Sequence, residues 1–412
     1  MATGPFVLEN PVLNYAWGSR TAIGEFLGRP SPNDQPEAEL WIGAHPKAPS
    51  QVIPPPDLGT LDRAIQNDPV GMLGHEICDH LGNELPFLLK VLAAAEPLSI
   101  QAHPDHDQAR EGWARENAEG IPVDARRRNY RDSNHKPELV CALTPFTTLI
   151  GFRYPDDLAR LLEPIAGSEL AREVGRLGRE RNPAALRALF TRLMTLEADE
   201  REAVLARALP EAARRAAGDP AWAWVERLHA RYPGDIGTLG PLYLNLVTLA
   251  PEEALFLPAG ELHTYLEGTA LEIMANSDNV LRGGLTPKNV DVPELLGILE
   301  FDSDEPEILR GHPAGPEEKV FRTEAREFEL SLVQVVAETP FTPEPGRGVE
   351  VLLGIEGDCV LLSEDRDLPL GRGRAVFVPA SVASYQVGGE GRLARASVPA
   401  PGGRFLDDED PE

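Results

Sequence analysis

The chain has 412 residues, of which 42% are hydrophobic, and a formal net charge of −27. That length allows two or three domains around a large core, and the charge argues against nucleic acid or an anionic membrane as a partner. An anionic small substrate is not excluded, because distant solvated charge is screened within about 10 Å at ordinary salt. No apolar run approaches the ~20 residues of a membrane span. The start of the chain lacks the pattern of a signal peptide. Cys78, Cys141 and Cys359 are too few and too scattered for a disulfide framework or a thiolate zinc site. A cytoplasmic location is expected, and the acidic tail Leu406–Glu412 is expected to fray.

Residues 1–55 carry short alternating runs broken by Gly, Pro, Asn and Asp, which predicts strands and turns. From Asp57 to about Leu81 the spacing of Leu61, Ile65 and Met72 is helical. LPFLLKVL (85–92) then reads as a strand with one cation, Lys90. In Leu98–His103 the polar residues Ser99, Gln101 and His103 share one face, which suggests a polar lumen or a site. Pro104 ends that strand, and Asp105 is placed to cap a helix running past Trp113; His106 carries no assigned role. After an Arg-rich loop (119–134), Lys136 and Glu138 share a face opposite Leu139 and Cys141.

Between Pro155 and Pro233 the composition shifts to Ala, Leu, Arg and Glu. Asn182-Pro183 and Asp219-Pro220 mark helix starts, so this stretch is a helical insertion that shields or scaffolds rather than reacts. Strand alternation returns after Leu239. In the stretch from Leu257 to Lys288, a Pro258-Ala-Gly260 turn leads into a strand that places His263 and Tyr265 on one face. The Glu267-Gly268 pair is expected to turn the chain into a second strand, Ala270–Ala275, which carries Glu272. A carboxylate there is costly to bury without a cation, metal or proton, and Arg282 and Lys288 follow. A short helix is expected over 289–299, and short strands from about 319 to 404 form a separate C-terminal β domain.

Gln101, His103, Glu138 and His263 stand out as candidate metal ligands on strands. One amide, one carboxylate and two imidazoles leave room for water or substrate, as a catalytic zinc needs, although ligand type alone also admits iron, manganese or cobalt.

The turn Pro258-x-Gly260-x-x-His263 resembles the second motif of the cupin superfamily. SIQAHP, NHKPEL, PAGELHTYL and NSDNVLR, together with AELWIGAHPKAPS near the start, resemble the type I mannose-6-phosphate isomerase family over about residues 8–300. The resemblance implies a mainly β chain of two cupin-like jelly-roll domains with an α-helical insertion. Residues 1–152 with 236–315 would be catalytic, 153–235 the insertion and 316–412 a degenerate cupin-like domain. It implies one zinc per chain on Gln101, His103, Glu138 and His263, with Arg282 as the active-site arginine. Lys90, Ser99, Lys136, Tyr265, Glu272 and Lys288 match further pocket positions. The implied reaction interconverts D-mannose 6-phosphate and D-fructose 6-phosphate, in mannose catabolism or in the supply of donors such as GDP-mannose.

Isomerisation through an enediolate needs a cation near O1 and O2, an acid/base group and a phosphate site. Arg282 suits the enediolate, and either Glu272 or Lys136 could carry the proton. Ser99 with Lys90 or Lys288 suits the phosphate, and His135 ring opening. The partner is a small sugar phosphate, and a monomer is expected. Gly373-x5-Pro379 repeats the cupin turn, but Ser384 stands where His263 stands, so no metal is expected there. An iron dioxygenase of the same fold would want more imidazole and has no use for the Lys and Arg set. A non-catalytic sugar-phosphate binder is the other reading, against which the intact site positions weigh.

Overall fold

The computed structural model describes residues 4–53, 58–344 and 347–399. The tail Leu406–Glu412 and the expected helix start at Asp57 lie outside them. The fold is sheet-rich, with 31% of residues in strands and 31% in helices.

Two large sheets carry it. One has ten strands, with the path Ala254–Leu257, Glu138–Ala142, His263–Ala275, Phe87–Ala94, Glu39–Gly43, Val12–Leu13. The strands Ile100–Ala102, Leu281–Gly284, Phe146–Phe152 and Leu244–Leu249 branch from the first half of His263–Ala275. The chain therefore does not turn at Glu267-Gly268. His263–Ala275 is one strand of 13 residues, irregular in register between Tyr265 and Glu267. Gly268, at φ +121°, keeps the strand going where a Cβ would come within 2.6 Å of the Pro145 carbonyl. Only glycine fits such a close backbone approach at positive φ.

The second sheet has nine strands and gathers the C-terminal segment. Its far edge is built from the N-terminus: Phe6–Glu9 pairs with Ala375–Val378 on one side and Gln51–Ile53 on the other. Residues 1–152 thus serve both sheets, because the buried Phe6, Leu8 and Val52 pack with Phe377 and Val351.

The expected helix of 57–81 is three short ones, Leu61–Asn67, Pro69–Leu73 and His75–Leu81. Asp68-Pro69 and Gly74 interrupt the pattern, since Asp68 caps the second helix and Gly74 takes φ +95°. Five further helices run between Pro155 and Arg231. Asn182 and Asp219 cap two of them through their side chains, with proline at the first turn. Trp222 and Trp224 are buried among them. The strand expected directly after Leu239 begins later, at Leu244, because Gly240–Tyr243 forms one more helical turn with Pro241 near its start. No helix of the described residues is long and apolar enough to cross a membrane.

Candidate metal and sugar-phosphate site

Strand register assembles the site in two cross-strand rows. In the first, Gln101 lies opposite His263 on one neighbour and opposite Arg282 on the other. In the second, Lys90 lies opposite Glu272 and opposite Trp41. Side chains directly opposite across a ladder sit about 5 Å apart at Cβ, so polar residues at period two on four strands become one polar surface.

His103, Glu138 and His263 are buried and offer ligand atoms within 4.8 Å of one another. Glu138 Oε1 is 3.4 Å from His103 Nε2, and Oε2 is 3.6 Å from His263 Nε2. Each ring's Nδ1–H donates to a backbone carbonyl, at 2.7 Å to Asn279 for His103 and 2.9 Å to Glu261 for His263. In a neutral ring the Nε2 lone pair then points toward the carboxylate. Burial, with the Lys136 charge, pushes His103 down to about 4, so its ring is neutral near pH 7. Burial would raise Glu138, but the Lys136 charge outweighs it and holds the carboxyl well below its usual range. His103 Nε2 and Glu138 Oε2 are buried without a hydrogen-bond partner. Lone pairs and a carboxylate aimed at one another are unfavourable unless a cation lies between them. The Gln101 amide, 3.4 Å from His263 Nε2, faces the same point. The donor set fits a borderline divalent ion such as zinc, and each histidine has the backbone anchor typical of a metal ligand.

Beside this cluster lies a cavity of about 1070 Å³, whose lining includes Gln101, Glu138, Lys136, Lys90, Glu272, Tyr265, Ser99, Arg282 and Lys288. Lys136 Nζ is 3.0 Å from Glu138 Oε1. Lys90 Nζ is 2.6 Å from Glu272 Oε2 and 3.9 Å from Glu39 Oε1. Burial would lower the Lys90 pKa, but Glu272 and Glu39 raise it above the ordinary value. Lys90 is therefore a buried, paired cation rather than one snorkelling from a strand end. Burial raises Glu272, against the pull of Lys90. Burial and Glu272 together push the Tyr265 hydroxyl well above its ordinary pKa.

Arg131, Arg282, Lys288 and Lys47 also line the cavity, together with Asp235 and Asp278. Burial and Arg131 lower the Arg282 pKa, while burial and the charges of Arg282, Arg131 and Lys47 lower that of Lys288. Partly desolvated cations that repel one another make a site for an anion.

The family model described as phosphomannose isomerase type I, catalytic domain, matches residues 6–155, and the mannose-6-phosphate isomerase cupin domain matches 317–398. The mannose-6-phosphate isomerase of Salmonella typhimurium is 42% identical over 390 residues, covering 94% of this chain and 98% of its own. The chain belongs to the type I mannose-6-phosphate isomerase family. The human relative is 33% identical over 421 residues, covering 88% of this chain and 96% of its own. A solved zinc-bound mannose-6-phosphate isomerase superposes with a TM-score of 0.88 at 41% identity, covering 96% of this chain and 100% of that one. The apo form from Salmonella typhimurium gives 0.88 at 40% identity, covering 97% and 100%.

Of the residues singled out in the sequence, His103, His263 and His135 are not among the residues lining the cavity; the first two belong to the buried cluster with Glu138, whereas His135 makes other contacts. Its Nε2 is 2.7 Å from Glu327 Oε1 and its ring stacks on His106 at 3.7 Å. Adjacent residues of an extended segment face opposite ways, so a chain that turns Lys136 toward Glu138 turns His135 away. Sequence reasoning missed Arg131, Lys47, Glu39 and Asn279. Glu39 accepts from Trp41 Nε1 at 2.7 Å beside Lys90. The Asn279 side chain accepts from the Arg131 backbone at 2.7 Å and donates to the Asn134 carbonyl at 2.9 Å, fixing the loop that delivers Arg131. Nothing local in an Arg-rich loop marks which arginine will meet Arg282.

Proposed function

We propose that the chain is a zinc-dependent aldose–ketose isomerase interconverting D-mannose 6-phosphate and D-fructose 6-phosphate through an enediolate. The observation that carries this reading is the buried His103–Glu138–His263 cluster beside a cavity that Arg282, Arg131 and Lys288 also line. His103, Glu138, His263 and Gln101 would hold the ion. Bound zinc supplies Lewis-acid stabilisation of the sugar oxygens that become anionic.

The remaining work falls to side chains of the cavity. Arg282, with an unpartnered and buried Nε, donates to the developing enediolate. Lys288 and Ser99 line the cavity, and with Arg131 they suit a phosphate. Lys90 is committed to Glu272 and so orients that carboxylate rather than meeting the phosphate. Either Lys136, paired with Glu138 at 3.0 Å, or Glu272, held by Lys90 at 2.6 Å, would move the proton between C1 and C2. Tyr265 packs against Phe146 at 5.2 Å between ring centroids and keeps that wall dry.

We read the fold as two cupin-like jelly rolls, the first interrupted by a helical insertion over 153–235, the second completed by the two N-terminal strands. Cys78, Cys141 and Cys359 are unpaired, which suits a reducing cytoplasm. The test is a coupled assay that feeds mannose 6-phosphate and detects fructose 6-phosphate, before and after chelation. Turnover lost with the metal and restored by zinc supports the reading, and a metal-free active protein contradicts it.

A further inference from the structure

We propose that His106, His135 and Glu327 form a second divalent-metal site, of the zinc class, distinct from the His103–Glu138–His263 cluster. Their ligand atoms lie within 4.8 Å of one another. His135 Nε2 meets Glu327 Oε1 at 2.7 Å, and the imidazoles of His106 and His135 stack with 3.7 Å between centroids and 20° between planes. Glu327 Oε2 is buried with no hydrogen-bond partner. A neutral imidazole carries one ring-nitrogen lone pair, and an ion bound here would take the place of the His135–Glu327 hydrogen bond. Two nitrogens and a carboxylate make a three-ligand set that leaves one tetrahedral position for water, and small side-chain rotations bring such atoms to bonding distance.

The two clusters interleave along the chain. His103 and His106 are three residues apart, as are His135 and Glu138, and each pair gives one ligand to each site. The second site takes its third ligand from residues 322–328, which connect the strands Glu318–Phe321 and Glu329–Val335 of the other sheet. A metal there ties the start of helix His106–Ala118, the segment leading to Lys136, and the C-terminal sheet at one point. Zinc is favoured by the donor set, and cobalt serves as its spectroscopic stand-in.

The site is tested by equilibrium dialysis of the full chain against buffered micromolar zinc, with metal counted per chain. The wild type is expected to take up two equivalents, and His106→Ala and Glu327→Gln one each. Thermal melts should show a zinc-dependent rise in the wild type beyond that of either variant, by the mass action of an added ligand. Added cobalt should give a visible band for the second equivalent that both variants lack. Because the site is read as the difference between wild type and variant, it stands or falls separately from the catalytic assignment. A wild type that binds no more zinc than His106→Ala, or a variant that retains both equivalents, overturns it.

Discussion

Both sheets bury charge, and two clusters, one in each, treat it in opposite ways. In the C-terminal sheet Glu350 is fully buried, yet it accepts from Arg347 at 2.9 Å and from Arg395 at 2.5 Å. Arg395 also reaches Glu318 at 2.6 Å. In the other sheet the two imidazoles and Glu138 are equally buried, but lone pairs and carboxylate converge without satisfying one another. One arrangement closes on itself and the other is completed only by a cation. The same turn precedes both strands, but His263 is buried where Ser384 is exposed. Buried charge is thus a scaffold when it is paired and a binding site when it is left open.

Substitutions can break this contrast. Glu138→Ala should abolish zinc retention and lower turnover by about 10³-fold or more, read by metal analysis and the coupled assay. Turnover near wild type would mean that the open cluster is not the catalytic one. Arg395→Ala should instead cost about 3–5 kcal/mol of stability, seen in denaturant unfolding, with turnover per folded molecule unchanged. A loss of turnover without a loss of stability would give the closed network a chemical role. Arg282→Ala should lower turnover by about 10²–10³-fold while zinc content stays the same, separating charge stabilisation from metal holding. The smallest effect is expected for Ser384→His, which should add no bound metal because, among the described residues, the clusters of three or more candidate ligands lie elsewhere.

The parts of this site that were legible in the sequence are those governed by strand period. Gln101 with His103, Lys136 with Glu138, and His263 with Tyr265 each lie on the face that alternation assigns. Pairing across strands was not legible. Nothing near Lys90 in the sequence announces Glu272, which is 182 residues away, and Glu39 acquires meaning only through Trp41 and Lys90. The Glu267-Gly268 pair misled because glycine marks both turns and strand bends; here the backbone of Pro145 decides for the bend. His135 and Lys136 part company in space, since adjacency in sequence is opposition in an extended chain.

The pairing of Phe6–Glu9 with Ala375–Val378 also bears on how the protein is made. As the chain leaves the ribosome, the strand Phe6–Glu9 waits for a partner that follows it by 371 residues, from Phe6 to Phe377. Domains usually close in order from the N-terminus during translation; the C-terminal sheet here cannot. For most of synthesis Phe6, Leu8 and Val52 remain exposed apolar edge, the kind of surface that chaperones shield. Expressing residues 316–412 alone would leave the Ala375–Val378 strand as a bare edge, so the two ends of the chain must be produced together.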